Sequence, residues 1–149
     1  VSVAWVGDGN NVGQSFVLGA AMVDLDLTVA TPAGYEVDDD VLARADGLGT
    51  VPDVTTDPET AVADADLIYT DVWVSMGQED EREEKLAAFE GFQVDEALLG
   101  DRYLMHCLPA HRGEEVTDES IESDQALIWQ QAENRLHAQK GLLAWLQSE

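Results

Sequence analysis

Short apolar runs alternate with longer amphipathic segments along the chain, and this alternation restricts the fold more than any other feature of the sequence. We predict strands at residues 2–6, 25–31, 50–55, 67–72, 102–105 and 127–129. Predicted helices cover residues 12–23, 39–45, 78–89, 113–121 and 132–146, and Asp57-Pro58 opens one more, with proline at its favoured first position. Strands that alternate with helices predict an α/β fold, in which an open, doubly wound parallel sheet carries helices on both faces.

The length of 149 residues suits one domain with one hydrophobic core. We assign residues 1–131 to this α/β domain and residues 132–149 to a separate carboxyl-terminal helix. Because the chain starts directly in a strand and ends in a long helix, we expect it to be half of a larger protein. No apolar run is long enough to cross a membrane, and we see no export leader. A single cysteine fits a reducing cytoplasm.

The charge balance is extreme, with 31 acidic residues against 7 basic ones and a formal net charge of −24. The acidic residues are spread over loops and helices, so they indicate a solvated surface and not an acidic tail. Such a surface repels itself unless salt screens it, since the Debye length falls from about 30 Å at 0.01 M to about 3 Å at 1 M. We therefore predict a halophilic source, with neither nucleic acid nor a membrane as a partner.

The stretch around the only cysteine places several reactive side chains at the end of a predicted strand. Pro109 ends this strand, because proline donates no hydrogen bond to a neighbouring strand. Cys107 therefore falls at the carboxyl end, where open α/β sheets bind ligands, with His106, His111 and Arg112 nearby. A lone cysteine is also common as a buried structural thiol, so its interpretation depends on the other motifs.

A glycine turn, Gly7-Asp8-Gly9-Asn10-Asn11-Val12-Gly13, follows the first strand and resembles a dinucleotide-binding fingerprint. Val12 stands where the third glycine is needed, and the second strand ends in Thr31-Pro32 without an acid for the ribose. These two departures argue against NAD binding. What remains is a turn that presents the amides of Asn10 and Asn11, a residue type that also caps helices.

Two further motifs carry charged groups. Asp71 lies at the end of the fourth strand, and Ser75 and Gly77 follow in the next loop, a pattern that predicts a receptor for an ammonium group and a carboxylate. Glu133-Asn134-Arg135, near the start of the last predicted helix, adds a guanidinium suited to an oxyanion or phosphate. Taken singly, Asp71 could be a turn residue and Arg135 an ion-pair partner of Glu133.

Four motifs together resemble the carboxyl-terminal half of the ornithine carbamoyltransferases. They are Gly7-Asp8-Gly9-Asn10-Asn11, Asp71-x-Trp73-x-Ser75-Met76-Gly77, His106-Cys107-Leu108-Pro109 and Ala132-Glu133-Asn134-Arg135, in the family's order and spacing. Ser-Met-Gly after the aspartate is the part that points to ornithine. The resemblance implies a transferase that makes citrulline and phosphate from ornithine and carbamoyl phosphate, in arginine biosynthesis or fermentation. It also implies that no metal or organic cofactor takes part.

The resemblance assigns roles toward ornithine residue by residue. Asn11 is expected to hold the α-carboxylate end, and Asp71 and Ser75 the α-amino group. Met76 is expected to offer its backbone N–H to the same head group. Cys107 is expected to lie beside the attacking δ-amine, which must be deprotonated to have a lone pair.

The resemblance also assigns the carbamoyl phosphate side of the site. Cys107 lies beside the reacting groups, the Leu108 carbonyl receives the carbamoyl NH₂, and Arg135 polarises the carbamoyl oxygen. Cys107 and Arg135 are thus the expected catalytic residues. Ligands at the ends of strands 1, 4 and 5 suggest the sheet order 3-2-1-4-5, with the binding crevice between strands 1 and 4.

The family's Ser-x-Arg-Thr-Arg phosphate loop and His-Pro-x-x-Gln stretch are absent from the 149 residues. In the family they belong to an amino-terminal carbamoyl phosphate domain, to which the helix at residues 132–149 is expected to cross. We therefore expect this chain alone to be inactive. The parent protein is expected to be a homotrimer or a multiple of trimers.

Three alternatives stay open at this point. A free-standing amino-acid-binding module would bind ornithine without catalysis. A thiol hydrolase would use Cys107 with His106 or His111, but neighbouring residues of a strand point to opposite faces, which makes His106 a poor base. A metal site is disfavoured because no second pair of cysteines or histidines supplies enough ligands.

Overall fold

Five parallel strands form one sheet at the centre of the computed structural model, which describes residues 1–74, 77, 80 and 82–148. The strands are β1 (Ser2–Val6), β2 (Asp26–Ala30), β3 (Asp53–Thr55), β4 (Leu67–Thr70) and β5 (Tyr103–His106). Their order across the sheet is β3-β2-β1-β4-β5, and every pairing is parallel. The predicted order 3-2-1-4-5 is confirmed, so β1 and β4 are neighbours at the point where the order reverses.

Helices connect these strands and cover both faces of the sheet. They are α1 (Asn11–Met22), α2 (Asp39–Asp46), α3 (Pro58–Val62), α4 (Arg82–Ala88), α5 (Glu96–Leu99), α6 (Asp118–Ile121) and α7 (Ile128–Gln147). Val3 and Trp5 of β1 pack in one core cluster with residues of α1 and α2, while Ala4 and Val6 belong to a second cluster with residues of α3. Two cores of this kind require strands that are apolar on both faces.

Side-chain caps explain where several helices begin. The side chains of Asn10, Asp57, Asp95 and Thr117 each accept a hydrogen bond from a backbone N–H in the first turn of the helix that follows. These caps satisfy N–H groups that have no partner within the helix. Asn10 is therefore the residue that caps α1, and this leaves Asn11 as the first, exposed residue of that helix.

The predicted sixth strand at residues 127–129 is wrong, because Ile128 begins α7. Leu104 of β5 forms an isolated bridge with Ala126, and the chain turns into the helix directly afterwards. Ile128 is fully buried against the sheet, as a strand residue would be. A short apolar run cannot distinguish a buried strand from the first turn of a helix, which explains the error.

Other element boundaries also differ from the predictions. The helix predicted at residues 113–121 begins only at Asp118, since Thr117 caps it and Gly113 has a φ of +85°. The third strand is confined to Asp53–Thr55, after Pro52. The described part of the helix predicted at residues 78–89 begins at Arg82.

Helix α7 leaves the sheet after its first turn. Within the described residues, Ile128 is its only buried side chain. Its large apolar side chains further along are between 55% and 59% exposed, and they are Leu136, Leu142, Leu143, Trp145 and Leu146. In the part of the chain that the structure describes, no helix combines the length and the hydrophobicity needed to span a bilayer.

Candidate functional site

The ends of β4 and β5 bring a carboxylate and a thiol into contact. Thr70 pairs with His106 in the sheet, so the next residues, Asp71 and Cys107, leave neighbouring strands side by side. The Cys107 Sγ donates a hydrogen bond to Asp71 Oδ1 at 2.8 Å. The same oxygen accepts the Val72 backbone N–H at 2.8 Å, and the Asp71 side chain is buried. Strand register and two hydrogen bonds therefore fix this carboxylate.

The environment of Cys107 keeps its thiol protonated. Burial raises the pKa of Cys107 to about 12, and the hydrogen bond to Asp71 and the charge of that carboxylate act in the same direction. The nucleophilic form of cysteine is the thiolate, which is scarce at neutral pH when the pKa is this high. Cys107 is thus a neutral, polar group beside a carboxylate, and the arrangement does not suit covalent catalysis by sulfur.

His106 is engaged on the opposite side of β5 from Cys107. Its Nδ1 accepts the Leu108 backbone N–H at 2.9 Å, so the ring proton lies on Nε2, which donates to Glu115 Oε1 at 3.1 Å. His106 and Glu115 are both almost completely buried. Glu115 Oε1 also accepts the His111 backbone N–H at 2.6 Å. Because both ring nitrogens of His106 are used in this way, it is not placed to act as a base for Cys107.

Leu108 has a backbone conformation that leucine seldom adopts. Its φ is +58°, in the left-handed region, which costs about 1–2 kcal/mol for a residue with a Cβ. The peptide bond from Leu108 to Pro109 is cis. The hydrogen bond from the Leu108 N–H to His106 holds this turn, and residues kept in such conformations concentrate at functional sites.

A cleft of about 950 Å³ lies between this turn and the start of α7. Cys107, Leu108 and Arg135 are among the residues that line it. Gln131 fastens α7 beside it: its Oε1 accepts the His106 backbone N–H at 3.0 Å, and its Nε2 bonds the Tyr69 hydroxyl at 3.1 Å. Arg135 follows Gln131 by one helical turn, so the same face of α7 presents the guanidinium toward the cleft.

The other predicted site residues lie differently with respect to this cleft. Asp71 contacts Cys107 but is not among the described residues that line the cleft. Asn11 does not line the cleft either. Asn11 stands at the start of α1, beyond the end of β1. Ser75 and Met76 lie outside the residues that the structure describes. The structure therefore brings Cys107, Leu108 and Arg135 together around one opening.

Comparison with known proteins gives a consistent result. A family model described as "Aspartate/ornithine carbamoyltransferase, Asp/Orn binding domain" matches residues 1–146. The chain belongs to this family. An ornithine carbamoyltransferase of Haloquadratum walsbyi is 64% identical over 100% of this chain and 50% of that protein. The ornithine carbamoyltransferase of Pyrococcus furiosus superposes with a TM-score of 0.88 at 51% identity, over 97% of this chain and 49% of that one.

A further solved structure supports the same assignment. The anabolic ornithine carbamoyltransferase of Campylobacter jejuni gives a TM-score of 0.91 at 37% identity, over 99% of this chain and 51% of that chain. The chain thus spans about half the length of the curated relatives it matches. The half that it matches carries the family's binding site for aspartate or ornithine, in keeping with the motifs at the ends of β1, β4 and β5.

Among the residues that the structure describes, two groups of side chains have the composition of a metal site. Asp71, His106 and Cys107 form one, and His111, Glu114 and Glu115 the other, with candidate ligand atoms within 4.8 Å of one another. In the first group the thiol is protonated and the imidazole nitrogens are already hydrogen-bonded. In the second, Glu114 pairs with Arg82, and Glu115 accepts two hydrogen bonds. We assign a metal to neither group.

Sequence reasoning missed a buried ion pair next to the site. Lys85 Nζ lies 2.6 Å from Asp8 Oδ2, and both side chains are buried. Burial raises the pKa of the Asp8 carboxyl, although the hydrogen bond and charge of Lys85 act to lower it. The two residues are 77 positions apart, and Lys85 stands in a strongly charged helix, so no local pattern distinguished it from a surface lysine.

Proposed function

We propose that this chain is the ornithine-binding half of an ornithine carbamoyltransferase, which transfers a carbamoyl group from carbamoyl phosphate to the δ-amine of ornithine. The observation that carries the proposal is the Cys107–Asp71 contact of 2.8 Å at the end of adjacent strands, next to a cleft that Arg135 also lines. Family membership and the ornithine carbamoyltransferase names of the relatives support it.

The amino-acid end of ornithine is recognised by residues at the carboxyl edge of the sheet. Asp71 is a buried carboxylate at a strand end, which suits the α-ammonium group. Asn11 is exposed at the start of α1, where its amide is accessible to the α-carboxylate. Ser75 and Met76, which lie outside the described residues, complete this receptor with a hydroxyl and a backbone N–H.

The reacting groups meet at Cys107. The δ-nitrogen of ornithine, once deprotonated, attacks the carbonyl carbon of carbamoyl phosphate; the carbon–oxygen bond to phosphate then breaks and phosphate leaves with that electron pair. The attacking nitrogen gives up its surplus proton to the departing phosphate, which leaves a neutral citrulline nitrogen and hydrogen phosphate. The neutral Cys107 thiol lies beside the amine without competing as a nucleophile. The Leu108 carbonyl accepts a hydrogen bond from the carbamoyl NH₂, and the left-handed turn at Leu108 sets the direction of that carbonyl.

Arg135 stabilises the charge that develops on the carbamoyl oxygen. Its guanidinium is exposed at the cleft, on a helix fastened to the sheet through Gln131. A cation at this position acts on the transition state more than on the ground state, which is what accelerates a reaction. Positioning of two reactants supplies much of the remaining rate, with effective molarities of about 10⁵ M or more for well-oriented groups.

The phosphate group requires the other half of the parent protein. Arg135 alone is a poor cradle for a phosphate, so a carbamoyl phosphate domain is needed beside α7, whose apolar side chains are exposed. We propose that α7 crosses to that domain and that the parent protein is a cytoplasmic homotrimer or multiple of trimers. A halophilic source fits both the net charge of −24 and the Haloquadratum relative.

Citrulline formation by the full-length parent protein tests this proposal. With ornithine and carbamoyl phosphate we expect citrulline and phosphate in equal amounts, and with aspartate in place of ornithine no carbamoylated product. Asp71→Asn should raise the KM for ornithine at least about tenfold, since a charged partner of the ammonium is lost. Asp53→Asn, which changes an exposed carboxylate on β3, is the matched control and should leave KM unchanged.

A further inference from the structure

The buried ammonium group of Lys85 joins segments that are distant in the sequence. Its Nζ donates to Asp8 Oδ2 at 2.6 Å and to the Trp73 backbone carbonyl at 3.0 Å. It also lies 5.5 Å from the centre of the Tyr35 ring. Lys85 itself is on α4, so one charged group contacts the β1–α1 loop, the loop after β4 and the loop after β2.

The segments that Lys85 joins also carry the proposed ornithine ligands. Asp8 is three residues before Asn11, and Trp73 is two residues after Asp71. Trp73 is buried and stacks on Phe89 with ring centres 5.3 Å apart, which secures the same loop from its apolar side. Lys85 therefore connects the loop that leads into Asn11 with the loop that follows Asp71.

A buried ion pair is an uncommon choice where only stability is needed. Well-packed apolar side chains of similar volume are often at least as stabilising as a buried ion pair, and in some proteins such a pair serves to define one geometry. The Lys85 side chain is 3% exposed and that of Asp8 is 7% exposed, so water contributes little to either. Because the Lys85–Asp8 pair lies next to the proposed binding site, the geometry that it can define is the arrangement of the residues that bind the amino acid.

We propose that Lys85 is a positioning residue for the amino-acid substrate. By holding Asp8 and the Trp73 carbonyl together, it fixes the spacing between Asn11 and Asp71 to match the α-carboxylate and α-ammonium groups of one amino acid. Lys85 does not touch the substrate. The proposal rests on the function proposed above, because it assigns Asn11 and Asp71 to ornithine.

Steady-state kinetics of the full-length parent protein test the proposal with the variants Lys85→Met and Asp8→Asn/Lys85→Met. Both lack the link to Trp73, but only the single variant leaves a buried aspartate without its cation. We expect both to raise the KM for ornithine at least about tenfold, with a smaller change in kcat and less than about a twofold change in the Kd of carbamoyl phosphate. The double variant should recover thermal stability relative to Lys85→Met without recovering the KM.

Two controls separate positioning from stability. Val3→Ala truncates a buried side chain at the opposite end of β1 and should lower the thermal midpoint while leaving the KM for ornithine unchanged. Lys85→Arg keeps the cation and its donors and should restore part of the ornithine affinity. A double variant with a wild-type KM for ornithine, or a Val3→Ala variant with the same rise, would overturn the proposal. A wild-type parent that makes no citrulline would instead overturn the proposed function, and this inference with it.

Discussion

The thiol of Cys107 donates a hydrogen bond to the carboxylate of Asp71 at 2.8 Å, and this pair sets the chemistry of the site at the scale of single residues. Burial and the neighbouring negative charge both disfavour a thiolate. In the proposed reaction, an amine that approaches Cys107 therefore meets a neutral group, which neither attacks the carbamoyl carbon nor adds charge beside the amine. A carboxylate and a protonated thiol together carry one negative charge, so they attract cations less strongly than two anions would.

Alkylation of the chain with iodoacetamide tests the state of this thiol. Because burial and Asp71 raise the pKa of Cys107 to about 12, the thiolate fraction and the alkylation rate should stay low at pH 7–9 and rise only toward strongly alkaline pH. Asp71→Asn removes the charge but not the burial, so the pKa should fall and the rate at pH 8 should rise at least about threefold. Rapid alkylation of the wild-type chain at pH 7 would contradict this account.

Glu115 is the residue whose loss should disturb the turn at Leu108 most. It is fully buried and accepts hydrogen bonds from His106 Nε2 and from the His111 backbone N–H. Glu115→Ala leaves two buried donors without a partner and should lower the free energy of unfolding by about 3 kcal/mol in urea titrations. Glu114→Gln changes the neighbouring, partly exposed carboxylate and should cost less than about 1 kcal/mol. Equal losses of unfolding free energy for both variants would show that the buried hydrogen bonds of Glu115 contribute no more to stability than the contacts of Glu114.

Among the secondary-structure elements, the strands that are buried on both faces were predictable, but the residues at which several helices begin were not. β1 and β4 stand out because continuous apolar residues are required in the middle of a parallel sheet. The triplet at residues 127–129 misled the prediction because Ile128 is equally buried as the first residue of α7. Residues 113–117 form a turn and a bridge, held by the pairing of Val116 with Val94, a residue 22 positions away, and by the hydrogen bond of the Glu115 side chain with His106. Such contacts leave no periodic signal.

The candidate site was predictable to the same extent as the strands that carry it. Asp71 and Cys107 were placed at one edge of the sheet because both lie at the carboxyl ends of predicted strands. Their direct hydrogen bond depends on the register of β4 against β5, which apolar patterns do not determine. The Asp8–Lys85 pair and the contact of Gln131 with Tyr69 join residues 77 and 62 positions apart, so only the folded chain reveals them.

Deletion of residues 136–149 tests whether the distal part of α7 belongs to this domain. Leu136, Leu142 and Trp145 are more than half exposed, so their loss should lower the free energy of unfolding by less than about 1 kcal/mol. The same deletion should weaken self-association in sedimentation experiments, since an exposed apolar helix is a contact surface. Loss of the cooperative unfolding transition on deletion would show that the helix is part of the core.

At the scale of the whole molecule, the surface charge has consequences that no single contact reveals. A net charge of −24 on 149 residues produces repulsion that opposes the compact state. The described acidic residues that are buried, among them Asp8, Asp71 and Glu115, have hydrogen-bond partners in the fold. The destabilising charge is therefore on the solvated surface, where dissolved ions can screen it.

Thermal unfolding as a function of salt tests the halophilic assignment. We expect the midpoint to rise by at least about 10 °C between 0.1 M and 2 M potassium chloride, because the Debye length falls to about 3 Å or less over that range. Replacement of exposed acidic residues by their amides, for example Asp38, Asp39 and Asp40 together, should make the midpoint less dependent on salt. A midpoint that stays flat across this range would contradict the assignment.

The rate of citrulline formation by the chain alone, compared with that of the chain combined with a separately produced amino-terminal half, tests the assignment to an ornithine-binding half. If the chain is the ornithine-binding half of a carbamoyltransferase, the chain alone should give no citrulline above a Cys107→Ala control. The combined halves should give citrulline that depends on Arg135. Turnover by the chain alone, above that control, would contradict the account, because the phosphate of carbamoyl phosphate would then be bound without the second domain.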